Sequence, residues 1–203
     1  MKLYISPGAC SLSPHIVLLE SGLAFTTERV NLGSKVTASG GDYYAINPKG
    51  SVPALQLDDG QILTEGPAIV QYLADLAPDK QLAPAAGSLA RYRLMEALNF
   101  ISTELHKSFG VLFNSKMPPE AKVVARELLV KRIGLVAQQL DGSAYLCGEE
   151  FSVADAYLFT VLGWGAHVEL DLAQWPAVAA YLGRIAARPA VHQALLDEGL
   201  LKA

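Results

Sequence analysis

The 203-residue sequence has only two cysteines, Cys10 and Cys147, far apart and without a Cys-x-x-Cys pair. That excludes a zinc knuckle of ordinary spacing and argues against a disulfide scaffold, so any working cysteine here is a reduced thiol. Positive charge is also short: 16 Lys and Arg against 20 Asp and Glu give a net charge of -4 and a pI near 5.5. A surface that tracks phosphates needs the opposite balance, so nucleic acid is excluded as a partner. Long apolar runs are missing as well. The most apolar stretch, AYLFTVLGWGA (156–166), is too short to span a bilayer, which takes about 20 residues. The opening MKLYISPGACSLSP lacks the apolar core of a signal peptide. With 51% hydrophobic residues and a mean hydropathy of +0.27, the chain is expected to be globular, soluble and cytoplasmic, with no metal site.

What is present changes texture along the chain. KLYIS reads as a strand, followed by a helix marked by Ser13-Pro14 and Gly22, and AFTTERVNL as a second strand. After a polar connection from Gly33 to Gly50, VPALQLDDGQILTE places two apolar runs around Asp58-Asp59-Gly60, a hairpin signal. Gly66-Pro67 opens a further helix with Ile69, Leu73 and Leu76 at helical spacing. Beyond that the strands stop. Leu94, Leu98, Ile101 and Leu105 make an amphipathic stripe, a long helix runs from Pro118-Pro119 to Gly142, and FSVADAYLFTVLGWGA is apolar all round, as a central buried helix would be. Ser152 and Asp155 form a capping box there, worth about 1 kcal/mol, and helices follow Trp175-Pro176 and Arg188-Pro189. The expected architecture is α/β plus all-α: a βαβ-ββα domain over 1–80 and a helical domain over 88–203.

Cys10 then falls at or just before the first helix, where unpaired N–H groups and the helix dipole favour a thiolate. The plain alternative is a small buried cysteine with no chemistry. Its setting, Cys10-Ser11-Leu12-Ser13, is a Cys-x-x-Ser corner, and without a resolving cysteine such a thiol needs an external one, with glutathione the natural choice. Glutathione offers two carboxylates. Thr64-Glu65-Gly66-Pro67 supplies helix N–H groups for a carboxylate and Glu65 for an ammonium, although Gly66-Pro67 also serves simply to start a helix. Asn99, Thr103 and His106 share one face at i, i+4, i+7; such a stripe is ordinarily a solvated face, yet it has groups able to line a cleft. Cys147 is read as a core residue.

The Cys10 corner, NPKGSVPAL (47–55), LTEGPAIVQYLAD (63–75) and FSVADAYLF (151–159), in this order, resemble a bacterial glutathione S-transferase of the cysteine-containing beta class. The resemblance covers essentially the whole chain. It implies a thioredoxin-like N-terminal domain, a helical C-terminal domain carrying the second-substrate site and dimer interface, and a homodimer that binds glutathione between its domains. On matching positions it implies that Cys10 contacts or bonds the glutathione sulfur and that Lys35 meets the glycyl carboxylate. Val52, before a cis Pro53, would pair with the cysteinyl backbone, while Glu65 and Gly66 hold the γ-glutamyl end. Asn99, Thr103, Glu104 and His106 would complete the site, with His106 near the sulfur, whereas Ser152 and Asp155 match a folding signal. One departure stands out: where many members carry serine after the acidic residue, this chain has Gly66.

The activity implied is conjugation of the glutathione thiolate to small hydrophobic electrophiles, with disulfide or peroxide reduction through Cys10 as a second chemistry. The alternative outside catalysis is a binding protein for glutathione and hydrophobic ligands.

Overall fold

The computed structural model describes residues 1–201. The chain divides into two compact units, 1–83 with 187–203 and, between them in sequence, 84–186.

In the first unit, β1 (Lys2–Ile5) leads through a loop to α1 (Leu12–Ser21) and back to β2 (Thr26–Asn31). These strands pair in parallel, Leu3 opposite Thr27, as a βαβ crossover requires. The polar connection holds a two-residue strand, β3 (Val36–Thr37), and a 3-10 turn at Tyr43–Ala45. The hairpin read at Asp58-Asp59-Gly60 is β4 (Ala54–Gln56) and β5 (Ile62–Thr64), paired antiparallel, and α2 (Gly66–Leu76) follows. The five-stranded sheet runs β3-β2-β1-β4-β5, with β1 central.

Because strand side chains alternate, β1 feeds two cores. Leu3 and Ile5 are buried, as are Ile16 of α1 and Ile69 and Leu73 of α2. Tyr4 points the other way and packs with Val30, Tyr43, Val52 and Ala54. In β2 only Val30 is buried, so its alternation carries one core residue.

The second unit contains α3 (Leu89–Phe100), a π-helical segment (Ile101–His106) and α4 (Lys107–Phe113) in direct succession. Two longer-range partners come next, α5 (Pro119–Leu140) and α6 (Val153–Gly163), and then α7 (Pro176–Ala186). Leu94, Leu98, Ile101 and Leu105 are all buried, as their stripe requires. α6 is the core helix, with Val153 to Leu158 all buried. Its capping box is in place, the Asp155 carboxylate accepting the Ser152 N–H and hydroxyl, each at 2.9 Å. Asp155 also accepts the Leu146 N–H at 2.8 Å and the Tyr181 hydroxyl at 3.0 Å.

The last helix, α8 (Pro189–Glu198), corrects the helical domain expected over 88–203, because it belongs to the first unit. Arg188 makes a two-point ion pair with Glu20 of α1, Nε to Oε1 at 2.6 Å and Nη2 to Oε2 at 3.0 Å. Glu198 is buried, accepts the Gly8 N–H at 2.8 Å and meets Nδ1 of buried His15 at 3.0 Å. A carboxylate at a helix C-terminus opposes the dipole, so these partners hold it there. No helix among the described residues is long and apolar enough to cross a membrane.

Candidate functional site

The loop from β1 to α1 carries Cys10. Ser11, fully buried, closes it on itself: its Oγ accepts the Ser6 N–H at 3.0 Å and donates to the Ser6 carbonyl at 3.2 Å. Tyr4, the other nearby hydroxyl, is buried and donates to Gln56 Oε1 at 3.1 Å. Ser13, in the place of a resolving thiol, is fully buried, and its Oγ has no hydrogen-bond partner among the described residues. Cys10 differs from these hydroxyls, being only partly buried, with Sγ donating to the Val52 carbonyl at 3.1 Å.

Val52 precedes Pro53, and the bond between them is cis, as the resemblance implies. The segment before it is braced from within. Asn47 is buried; its Nδ2 donates to the Ser51 carbonyl at 2.7 Å and its Oδ1 accepts the Lys49 N–H at 3.1 Å, an Asx turn. The Tyr43 hydroxyl also reaches the Ser51 carbonyl, at 2.9 Å, and burial pushes its pKa up to about 12, so it stays protonated. Gly50 has φ of +62°, and a Cβ there would stand 2.6 Å from Tyr44 Cε1, so any other residue would be strained and would displace the Tyr44 ring.

From Pro53 the contacts continue to α2. A Cβ on Gly66 would lie 3.9 Å from Pro53 Cγ, so the serine usual in the resembling family would fit. Glu65, at φ +70° and ψ +113°, occupies backbone space that side chains other than glycine avoid. Its carboxylate accepts from Lys49 Nζ at 2.5 Å, and the same Nζ donates to Thr64 Oγ1 at 3.0 Å. Lys35 also has a positive φ, +59°, and its Nζ donates to the Gly50 carbonyl at 2.7 Å. Cys10, Val52, Pro53, Gly66, Glu65 and Lys35 thus form one contiguous strip of the first unit, joined by Lys49 and Gly50. Neither Lys49 nor the bracing pair Tyr43 and Asn47 stands out in the sequence. The lysine sits inside NPKGSVPAL, but nothing in its spacing announces a pairing 16 residues away.

The helical residues behave differently from the polar stripe expected of them. Asn99 and Thr103 are exposed, with Thr103 Oγ1 donating to the Asn99 carbonyl at 3.0 Å. His106 is partly buried: Nδ1 lies 2.7 Å from the Tyr157 hydroxyl, and its ring meets Trp164 edge-on, centroids 4.8 Å apart. The cause is the π segment. One extra residue in a helical turn rotates the residues beyond it by about 100°, which takes His106 off the face of Asn99 and Thr103. Glu104 is bound within the unit as well, accepting from Arg132 Nε at 2.7 Å. Cys147 corrects its reading as core, since it is exposed. Partial burial of its thiol and the Asp155 charge push its pKa up to about 11. Among the described residues no group of three or more His, Cys, Asp or Glu is placed to hold a metal ion.

Comparison with known proteins meets this geometry from outside. The profile "Glutathione S-transferase, N-terminal domain" matches residues 8–76, and "Glutathione S-transferase, C-terminal domain" matches 100–189. Glutathione S-transferase GstA of Escherichia coli O157:H7 is 51% identical over 200 residues, covering 98% of this chain and 100% of its own. Among solved structures, BphK, a bacterial GST in a ternary complex, superposes with a TM-score of 0.97 at 60% identity, covering 98% of this chain and 100% of its own. The beta-class glutathione S-transferase of Sphingomonas chungbukensis gives 0.96 at 49% identity, covering 99% of this chain and 100% of its own. A thioredoxin-like first half with a thiol at its first helix, a helical second half, and likeness running nearly end to end have one source: the chain belongs to the glutathione S-transferase family, on its bacterial beta-class branch.

Proposed function

We propose that this protein binds glutathione along the strip from Cys10 to Glu65 and adds its thiolate to small hydrophobic electrophiles. The observation that carries the reading is Cys10 Sγ on the Val52 carbonyl, 3.1 Å away, beside Pro53. It sets a thiol next to a main chain suited to pair with the cysteinyl backbone of glutathione. Lys35 takes the glycyl carboxylate, and Glu65 with the Gly66 N–H takes the γ-glutamyl end. Pro53 is structural. In the reaction the glutathione thiol gives up its proton, the thiolate sulfur bonds to the electrophilic carbon, and a halide or other leaving group departs with its electron pair. Holding both reactants and lowering the thiol pKa supply the rate. Asn99, Thr103, Glu104 and His106 are proposed to act on glutathione too, with His106 serving the proton transfer.

A second chemistry has its own support. With Ser13 buried where a resolving thiol would stand, a mixed disulfide at Cys10 would persist until an external thiol arrives. Cys10 thiolate attacking oxidised glutathione forms that disulfide and releases one reduced glutathione. A cytoplasmic homodimer is proposed as the working form, supported by family membership and by the exposed Leu89 and Tyr92 of α3.

Intact mass after incubation with oxidised glutathione, alongside conjugation of an aryl halide, tests these roles on the native chain and on Cys10→Ala. We expect conjugation by the native chain and a single glutathione adduct that the substitution removes. An adduct retained in Cys10→Ala sinks the assignment of Cys10, and no turnover across aryl halides, epoxides and enones sinks the transferase reading.

A further inference from the structure

We infer that Lys49 is the cation that receives the γ-glutamyl carboxylate of glutathione, an inference that rests on the glutathione-binding reading above. That end of the ligand carries an ammonium and a carboxylate on one carbon. Glu65 provides one charge for the ammonium. Its carboxylate is in contact with Lys49 Nζ, at 2.5 Å, so the protein presents the opposite pair of charges side by side.

Three observations make this more than a surface ion pair. Lys49 is fixed at its base, its N–H held by buried Asn47 at 3.1 Å in a loop that Tyr44 packs against at Gly50. It is fixed at its tip by two neighbouring residues, Thr64 and Glu65, where β5 turns into α2. An ammonium has three donors, so two bonds leave one for a ligand. The pair is also open to solvent, with side chains 56% and 67% exposed, and a ligand can reach it. A cation beside Glu65 also adds charge complementarity for the carboxylate that the helix N–H groups alone do not give. Gly66 brings no hydroxyl, so a carboxylate arriving there without Lys49 would face the Glu65 charge with only main-chain N–H groups as partners. Lys35 is committed to the Gly50 carbonyl and to the other end of the strip.

The test measures KM and Kd for glutathione and two analogues, γ-aminobutyryl-Cys-Gly, which lacks this carboxylate, and glutaryl-Cys-Gly, which lacks the ammonium. Lys49→Gln should weaken glutathione roughly tenfold while kcat at saturation moves by less than about threefold, and Lys49→Arg should restore most of the loss. The penalty of Lys49→Gln should vanish for the analogue without the carboxylate and persist for the one without the ammonium. The reverse pattern would mean that Lys49 acts only by holding Glu65, and equal penalties with both analogues, or unchanged or tighter binding, would mean that it acts through neither charged group or merely blocks Glu65. Either result overturns the inference alone. A native chain that binds no glutathione overturns the reading beneath it as well.

Discussion

Glu65 pays for its position in backbone energy. A residue with a side chain at φ +70° and ψ +113° costs roughly 1–3 kcal/mol, and glycine at the same place does not. Glu65→Gly should therefore raise stability by about 1 kcal/mol in chemical denaturation while weakening glutathione binding. Glu65→Ala should weaken binding with no gain. If both substitutions shift stability alike, the conformation is unstrained and its link to binding falls. At this scale the sequence is legible where a role is spelled by adjacent residues: Cys10 before its helix, Val52 before Pro53, Glu65 before Gly66. It is silent where a role depends on distant partners. Nothing near Lys49 foretells Glu65, and nothing near Gly8 foretells a carboxylate 190 residues on.

Among elements, α6 depends on its first turn. Ser152→Ala should cost about 1 kcal/mol, whereas Asp155→Ala should cost roughly 3 kcal/mol, because it strands the N–H groups of Leu146 and Ser152 and the Tyr181 hydroxyl. Equal losses in urea unfolding would remove the distinction. Burial raises the Asp155 pKa above its ordinary 3.8 against the pull of these hydrogen bonds. The part of its stability that comes from proton binding is therefore full below 3.8 and is lost as pH rises through the folded value, while its hydrogen bonds remain. Asp155→Asn should flatten that slope. Helices, strands and the Asp58-Asp59-Gly60 hairpin are readable from periodicity and turn residues. The π segment is not, because Ile101 and Leu105 keep a spacing that an α-helix would also give, and only the rotation of His106 towards Tyr157 and Trp164 exposes it. β3 is too short to leave a pattern.

For the molecule as a whole, the pairing of α8 with α1 matters most. Removing one partner of a buried pair typically costs about 3–5 kcal/mol. Glu198→Ala should accordingly loosen the first unit, which hydrogen exchange would register over residues 6–22 with little change over 84–186. Protection lost uniformly, or not at all, would show that α8 does not fasten this unit. The sequence places α8 with the other helices because proline-started helices look alike; the Arg188 pair with Glu20 and the burial of His15 decide otherwise.

This fastening also sets an order of events during synthesis. The Gly8 N–H leaves the ribosome early and its acceptor, Glu198, 190 residues later, about 10–40 s at ordinary rates of elongation. By the end of that interval the segment 84–186 has been made, while the loop that carries Cys10 still lacks its clasp. In a growing chain the thiol is therefore the first part of the strip to emerge, and its loop is among the last to be fully fastened.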